Sequence, residues 1–277
     1  MVQVITDSSV LYTKEEAKAA GFEAVPLSIQ IGDLDGRDLQ VDMDEFYQRI
    51  EKGQVPRSSQ PPIGDVVDAF QAYQDKDIIN ISMADGLSGT YQSACGAREM
   101  MDHKDRITVF NSRTLCGPHR YLVEQAQKMK EAGKNAQEIL AWLGRAAQQT
   151  ESFLIPQDFS FLKRGGRLTP VAAAIGSALK LKPVMKLTGD GMRLDKFLVK
   201  RTMSSAVSGI IEHLKKKGLG REHILYIAHA AAPEDAGNIR QMFEKAFADL
   251  EIRMLELSPV FVTQGGPRCV AIQYIRR

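Results

Sequence analysis

The fold is decided by the stretch Asp77-Ile78-Ile79-Asn80-Ile81-Ser82 and by the segment Leu87-Ser88-Gly89-Thr90-Tyr91-Gln92-Ser93-Ala94 that follows it. The first run predicts a buried strand, and the second leads into a helical pattern that ends near Met101. A glycine and hydroxyl loop between a strand and a helix leaves the first N–H groups of the helix unpaired, and the helix dipole adds to their attraction for anions. The hydroxyls of Ser88 and Thr90 supply further donors. The alternative is an ordinary helix cap.

Outward from this stretch, the first half of the chain alternates short β-branched runs with helical patterns. Strands are predicted at 2–6, 24–31, 78–82 and 107–110, and helices are predicted to end at about residues 21, 52, 73, 101, 131 and 149. A capping box, Thr13-Lys14-Glu15-Glu16, opens the first helix. Strands that alternate with helices indicate a mainly parallel sheet.

After Thr150 the pattern changes. Lys163–Arg167 is predicted to form a turn, and Pro170 to start a small-residue helix through Ala178. Strands 183–187 and 192–199 flank Thr188-Gly189-Asp190-Gly191, which indicates a hairpin. Helices at about 202–217 and 233–250 then alternate with strands at 223–228, 252–257 and 269–275. A hairpin with crossovers predicts a mixed sheet, so we expect two α/β domains, residues 1–150 and 151–277.

Composition excludes several classes of protein. The 277 residues carry 36 Lys and Arg against 34 Asp and Glu, a net charge of +2, which gives no global attraction to nucleic acid or to an anionic membrane. The cysteines Cys95, Cys116 and Cys269 lie far apart without a CxxC pattern, which argues against a disulfide framework or a zinc site. The start of the chain lacks the pattern of a secretion signal, and no apolar stretch is long enough to span a membrane. We therefore expect a cytoplasmic protein without stable membrane insertion.

Three loops of the first half share one design, in which a strand or coil leads through hydroxyl residues towards a helix. They are Thr6-Asp7-Ser8-Ser9, Arg57-Ser58-Ser59-Gln60-Pro61 and Leu87-Ser88-Gly89-Thr90. Loops that follow parallel strands gather at the carboxyl edge of the sheet, where ligands of open α/β folds bind. The loops either converge on one ligand or act as three independent caps.

The second half supplies cations that suit an anionic ligand. Arg167 lies in a Gly-Gly-Arg turn, and Arg201 follows a predicted strand. A guanidinium matches the geometry of carboxylate or phosphate, although each arginine by itself also fits a structural ion pair. Gly265-Gly266-Pro267-Arg268 forms a further tight loop before the last strand. No phosphate loop, no dinucleotide-binding glycine pattern, no hydrolase elbow and no metal-binding histidine spacing is present. The residues alone predict an anion-favouring cleft between two domains, without catalytic residues, metal or cofactor.

Taken together and in order, these motifs resemble the DegV family of bacterial fatty-acid-binding proteins, the substrate-binding subunits of a fatty acid kinase. The resemblance runs nearly from end to end. Besides the three hydroxyl loops it includes Asn111-Ser112-Arg113-Thr114, Phe161-Leu162-Lys163-Arg164-Gly165-Gly166-Arg167, Leu181-Lys182-Pro183-Val184 and Lys200-Arg201.

The resemblance implies one long-chain fatty acid buried between two α/β domains, with its tail in an apolar tunnel. It implies that the carboxylate is held by Ser58, Ser88, the backbone of Gly89, and Gln264. The remaining candidate residues would lie beside the headgroup or face the partner: Arg167, Arg201, Ser59, Thr90 and Arg268. A separate kinase subunit would then phosphorylate the carboxylate with ATP, so this chain would perform no chemistry itself and need no cofactor.

The chain departs from the family pattern at a few positions. Many members carry His-Thr-Gly-Pro-Gly where this chain has Gln264-Gly265-Gly266-Pro267-Arg268. Gln264 can donate a hydrogen bond but cannot become cationic, and Arg268 adds charge where the family has glycine. Asn111 replaces an aspartate, and Ser58 replaces a threonine but keeps the hydroxyl. The alternative function is a small-molecule phosphotransferase or a phosphosugar-binding protein that uses the same helix starts for phosphate. A transcriptional regulator is least favoured, because no basic stripe or clear helix-turn-helix is present.

Overall fold

The computed structural model describes residues 1–175 and 181–277. They divide into two compact units. The first unit comprises Met1–Gln148 together with Ser258–Val260, and the second comprises Gln149–Leu257 and Phe261–Arg277. The sequence pattern gives no sign that a segment as late as Ser258–Val260 belongs with the first unit.

The first unit contains a parallel sheet and a small antiparallel sheet. Its strands are β1 (Val2–Asp7), β2 (Glu23–Val25), β3 (Ser28–Ile31), β4 (Leu34–Arg37), β5 (Arg57–Ser59), β6 (Asp77–Ser82) and β7 (Ile107–Asn111). Its helices are α1 (Lys14–Ala19), α2 (Met43–Glu51), α3 (Ile63–Gln71), α4 (Thr90–Glu99), α5 (Cys116–Glu131) and α6 (Ala136–Ala146). Ser8–Val10 and Lys104–Arg106 form 3-10 turns.

The parallel sheet has the strand order β2-β1-β6-β7, and its neighbouring strands pair in parallel. Strand β1 is buried along its full length, including its polar residues Gln3, Thr6 and Asp7, as expected for a central strand of a parallel sheet. Helix α1 starts with the predicted capping box between Thr13 and Glu16. The parallel α/β architecture expected for the first half is therefore confirmed.

Two local predictions in the first unit are wrong. The strand predicted over 24–31 is split at Pro26 into β2 of the parallel sheet and β3 of the antiparallel sheet β4-β3-β5, because proline has no N–H group to continue a ladder. Residues 57–59 form the edge strand β5 rather than a helix start. Helix α3 begins only at Ile63, since each of the two prolines at 61 and 62 disfavours helical backbone in the residue before it.

The second unit is built on a mixed sheet. Its strands are β8 (Thr150–Ile155), β9 (Lys182–Leu187), β10 (Leu194–Lys200), β11 (His223–His229), β12 (Glu251–Glu256) and β13 (Val270–Arg276). Its helices are α7 (Phe159–Gly165), α8 (Pro170–Ala173), α9 (Met203–Lys216), α10 (Pro233–Ala246) and α11 (Pro259–Gly265), the last of which begins in the segment assigned to the first unit. The order is β10-β9-β8-β13-β11-β12, with β11 and β12 parallel and the other neighbouring pairs antiparallel.

The predicted mixed sheet and the hairpin of β9 and β10 are confirmed. The turn predicted over 163–167 is wrong in its first part: residues 163–165 belong to helix α7, which ends where Gly166 adopts a left-handed conformation with φ 70°. The helix predicted from Pro170 extends to Ala173, and residues 176–178 of that prediction lie outside the described residues. The sequence patterns also missed β8 and α11. Among the described residues, no helix has the length and apolar character needed to cross a membrane.

Candidate functional site

The loops at the carboxyl edge of the parallel sheet are bonded to one another. Met83, which follows β6, donates its backbone N–H to Oδ2 of Asp7 at the end of β1, at 2.8 Å. Ala84 donates to the carbonyl of Thr114 at 2.8 Å, and Ser112, after β7, donates to the carbonyl of Ser82 at 2.9 Å. The loop that leads into α4 is therefore held by both neighbouring strand ends.

The first hydroxyl loop, Thr6–Ser9, is buried and its polar groups bond inside the protein. His119 of α5 lies between Thr6 and Ser9: its Nε2 is 3.1 Å from Oγ1 of Thr6 and 3.1 Å from the carbonyl oxygen of Ile81, and its Nδ1 is 2.9 Å from Oγ of Ser9. Because only an N–H can bond a carbonyl, Nε2 carries the proton and Nδ1 accepts from Ser9. Burial lowers the pKa of His119, which favours this neutral form.

Ser8 completes the buried network through Asp38. The Ser8 hydroxyl donates to Oδ2 of Asp38 at 2.7 Å and accepts from the backbone N–H of Leu27 at 3.2 Å. Asp38 also accepts from the hydroxyl of Ser258 at 3.0 Å and from the backbone N–H of Val260 at 3.1 Å. Burial raises the pKa of Asp38 to about 6, although these three hydrogen bonds oppose the shift. The first loop is thus an internal network that holds the start of α11, and not an exposed ligand loop.

The second and third hydroxyl loops lie next to each other. Ser58 sits on β5 opposite Ile29 and is partly exposed, and Ser59 is exposed. A Cβ at Gly89, the residue before α4, would come within 3.0 Å of Oε1 of Gln60, which follows β5. Gly89 has φ −69°, a value that any residue adopts, so the neighbouring amide of Gln60 and not the backbone conformation would limit a larger residue here.

The start of α4 presents donors and an exposed glycine. Oγ of Ser88 lies 2.8 Å from Oγ1 of Thr90 and accepts from the backbone N–H of Thr90 at 3.3 Å. Thr90 is buried, Ser88 is partly exposed and Gly89 is exposed. Thr90 therefore positions Ser88, and the helix start offers a hydroxyl together with backbone N–H groups to an anion.

In the second unit, Gln264 and Arg167 meet at Gly165. The Gln264 side chain occupies the space that a Cβ on Gly165 would need, and Nη1 of Arg167 donates to the carbonyl of Gly165. Nη1 of Arg193 donates to the next carbonyl, that of Gly166, at 2.9 Å. Burial, and then the positive charge of Arg193, lowers the pKa of Arg167.

The other two candidate arginines differ in their surroundings. Arg201 is exposed, and no carboxylate in the described part of the chain pairs with it. Arg268 forms an ion pair with Asp235 at 3.0 Å, so its charge is compensated rather than added to the loop. Its φ of 60° is a left-handed value that favours glycine, which accounts for the glycine of the family pattern at this position.

The sequence reasoning missed Asp38, His119, Gln60 and Arg193 as contributors to these loops. Gln60 belongs to the second hydroxyl loop, so a position next to the third loop could have been predicted for it. Asp38 and His119 gave no signal, because their partners lie far away along the chain. The sequence pattern places Arg193 in a hairpin and gives no sign of its bond to Gly166.

Comparison with known proteins gives a consistent result. The model of a family described as uncharacterised proteins of the DegV family matches residues 1–277. The protein DegV of Bacillus subtilis is 28% identical over 279 residues, which covers 98% of each chain. A crystal structure of DegV from Bacillus subtilis, described as a fatty acid binding protein, has a TM-score of 0.86 at 27% identity and covers 100% of this chain and 99% of that one. A structure that describes fatty acid binding by a DegV family protein from Thermus thermophilus has a TM-score of 0.90 at 23% identity, with 100% and 99% coverage.

Proposed function

This chain belongs to the DegV family, and from that premise we propose that it binds one long-chain fatty acid, whose carboxylate is held by Ser58, Ser88 and the backbone N–H of Gly89. One observation carries the proposal. The amide of Gln60, two residues after Ser58, lies against Gly89, the residue after Ser88, so the two loops are neighbours, and this supports their binding one carboxylate. The description of the Bacillus subtilis relative as a fatty acid binding protein supports the same ligand.

The chemistry of these two loops suits a carboxylate. Removing a carboxylate from water is unfavourable unless hydrogen bonds replace those of water. Two hydroxyls can donate to its oxygens, and the dipole of the ten-residue helix α4 favours a negative charge at its start. The tail provides the larger driving force, about 0.8 kcal/mol for each buried CH₂ group. The assignment of Gln264 to the same carboxylate stays a prediction from the sequence.

We further propose that the bound carboxylate is presented to a separate ATP-dependent fatty acid kinase, and that this chain itself is not catalytic. The candidates for contact with the kinase are the exposed residues Arg201, Ser59 and Arg268 and the partly buried Arg167. Arg201 is the strongest of these, because it is exposed and the described residues offer it no carboxylate. Charged groups at the rim of an interface steer association more than they add affinity. Thr90 is buried, so its contribution is to orient Ser88.

Calorimetric titration of the delipidated protein tests the ligand class. Hexadecanoic acid should bind, and hexadecan-1-ol, which lacks the charge, should bind about tenfold more weakly, since hydrogen bonds to a charged group are worth about 1.5–3 kcal/mol. Equal affinity for the acid and the alcohol would remove these two loops from the site. Binding of glucose 6-phosphate without binding of the acid would favour the alternative function in phosphosugar recognition.

A kinase assay tests the presentation step. With the fatty acid kinase subunit of the same organism, the Arg201→Gln variant should lose phosphorylation while its affinity for hexadecanoic acid stays unchanged. Arg221→Gln, at another exposed arginine of the second unit, is the matched control and should behave as wild type. Equal loss of binding and phosphorylation in Arg201→Gln would argue against a partner-facing role.

A further inference from the structure

The loop that follows β7 is held in place on both sides of an exposed arginine. Oδ1 of Asn111 accepts from the backbone N–H of Arg113 at 2.9 Å, and the hydroxyl of Ser112 donates to the carbonyl of Thr114 at 3.2 Å. Ser112 and Thr114 are fully buried, whereas Arg113 between them is exposed. The buried neighbours therefore fix the backbone of an arginine that is itself open to solvent.

The backbone conformation of Arg113 is one that disfavours arginine. Its φ of 55° lies in the left-handed region, which glycine adopts freely and most other residues avoid. Glycine at this position would relieve the strain, so folding alone does not account for an arginine here. A strained residue that its surroundings hold in place is typical of a functional contact.

The charge of Arg113 is not compensated in the part of the chain that the structure describes. No carboxylate there forms an ion pair with its guanidinium. Asp85, whose backbone N–H shares the Asn111 oxygen with Arg113, uses its own carboxylate to accept from Nε2 of Gln92 at 3.0 Å. Asn111 provides its acceptor oxygen without a negative charge. The donors of the guanidinium therefore remain available to an acceptor on another molecule.

The loop of Arg113 is bonded to the segment that leads to Ser88. Ala84 donates its backbone N–H to the carbonyl of Thr114 at 2.8 Å, and its own carbonyl accepts from the backbone N–H of Ser88 at 3.3 Å. One residue thus joins the arginine loop to the start of α4. A protein that reaches a headgroup at Ser88 would therefore also meet Arg113.

We propose that Arg113 is a docking contact for the kinase subunit, where it pairs with a carboxylate on the surface of that partner. The inference rests on the proposed function and adds a residue to the candidates named there. The fork of a guanidinium matches a carboxylate, and an ion pair at the rim of an interface directs association more than it adds affinity. The partner surface that covers Ser88 should accordingly be acidic where it meets Arg113.

The test measures how the fatty acid kinase subunit of the same organism phosphorylates the loaded protein, at low and high ionic strength. The variants are Arg113→Gln, Arg113→Glu and Arg113→Gly, and the matched control is Arg145→Gln, at an exposed arginine on α6 of the same unit. We expect Arg113→Gln to raise the KM for loaded protein about fivefold, near the limit for one exposed ion pair, with kcat unchanged. Arg113→Glu should raise KM further, because like charges then repel, and salt should reduce the difference from wild type.

Arg113→Gly separates the contact from the fold. It should raise KM as Arg113→Gln does, although its melting temperature should not fall, because glycine suits the left-handed backbone. The affinity for hexadecanoic acid should stay unchanged in every variant, and Arg145→Gln should behave as wild type.

An unchanged KM in both Arg113→Gln and Arg113→Glu would overturn the inference, while phosphorylation of the wild type in the same assay would uphold the proposed function. A loss of fatty acid affinity equal to the loss in KM would also overturn it, because Arg113 would then act on the headgroup. A wild-type protein that binds hexadecanoic acid but is neither bound nor phosphorylated by the kinase would contradict the proposed presentation step, and this inference with it.

Discussion

The Thr6–Ser9 loop and the paired loops at Ser58 and Ser88 are all rich in hydroxyl residues but lie in opposite environments. The first is buried, and its hydroxyls bond to His119 and Asp38 inside the first unit. The paired loops expose Ser59 and Gly89 and keep Ser88 partly accessible. Hydroxyl residues after a strand therefore predict a loop rich in donors, but the helix packed against it decides whether those donors bind the protein or a ligand.

The largest expected effect comes from removing the histidine that makes the first loop internal. His119→Ala should destabilise the first unit by about 3 kcal/mol or more, because it opens a cavity and leaves Ser9 without its buried partner. Trp142, the one tryptophan of the sequence, lies on α6 of the first unit, so its fluorescence in urea follows that unit. His223→Ala in the second unit is the control. A loss below about 1 kcal/mol would mean that the network is not structural.

Asp38 makes the buried network sensitive to pH. Its pKa in the folded protein is about 6, above the ordinary value of 3.8, so folding favours the protonated carboxyl. The stabilisation is complete below pH 3.8 and is lost as the pH rises through 6, a change of about 3 kcal/mol by linkage. Asp7 lies near enough to raise the pKa of Asp38 further, and protonation of buried His119 at low pH acts in the opposite direction.

The Asp38→Asn variant isolates this group from the other titrations. Asparagine resembles the protonated acid, since the rotating hydroxyls of Ser8 and Ser258 can accept from its amide. Wild type should therefore gain about 2.5 kcal/mol relative to the variant when the pH is lowered from 7.5 to 4. Urea unfolding at both pH values measures the difference, and a pH-independent difference would contradict the account.

A pair of serine variants separates the two environments directly. Ser9→Ala should cost about 1–3 kcal/mol in the unfolding free energy of the first unit, because His119 loses a buried partner. Ser88→Ala should cost less in that free energy, at most about 1 kcal/mol, because Ser88 is partly exposed and its hydroxyl bonds to Thr90 of its own loop, and it should weaken hexadecanoic acid binding by about 1–3 kcal/mol. Fluorescence unfolding and calorimetric titration on both variants give the comparison. If Ser88→Ala lost stability but not affinity, its loop would also be internal.

The smallest effect is expected at Gly89. An alanine there would place its Cβ 3.0 Å from Oε1 of Gln60, and a flexible amide can move aside at a cost of about 0.5 kcal/mol in ligand affinity. The double variant Gly89→Ala with Gln60→Ala should restore part of that affinity in titration, as expected for residues in contact. Additive losses would show that Gln60 does not join the two loops.

The sequence predicted the parallel sheet, the mixed sheet and the hairpin because strands, helices and turns are determined largely by residues that are close to one another along the chain. Sequence patterns failed at β2 and β3, where one β-branched run serves two sheets on either side of Pro26. They also failed at β8, whose apolar stretch Phe153–Ile155 is short. The donors at Ser88 followed from helix-start chemistry. The bonds from Asp38 to Ser258 and Val260 could not be predicted, since 220 and 222 residues separate the partners.

Native mass spectrometry of the purified protein, followed by lipid analysis of its organic extract, tests the central claim most directly. We predict one long-chain fatty acid per chain in wild type, and a reduced fraction of loaded protein in the Ser58→Ala, Ser88→Ala double variant. A wild-type protein that carries no fatty acid, and takes up none after delipidation when long-chain acids are offered, would contradict the claim.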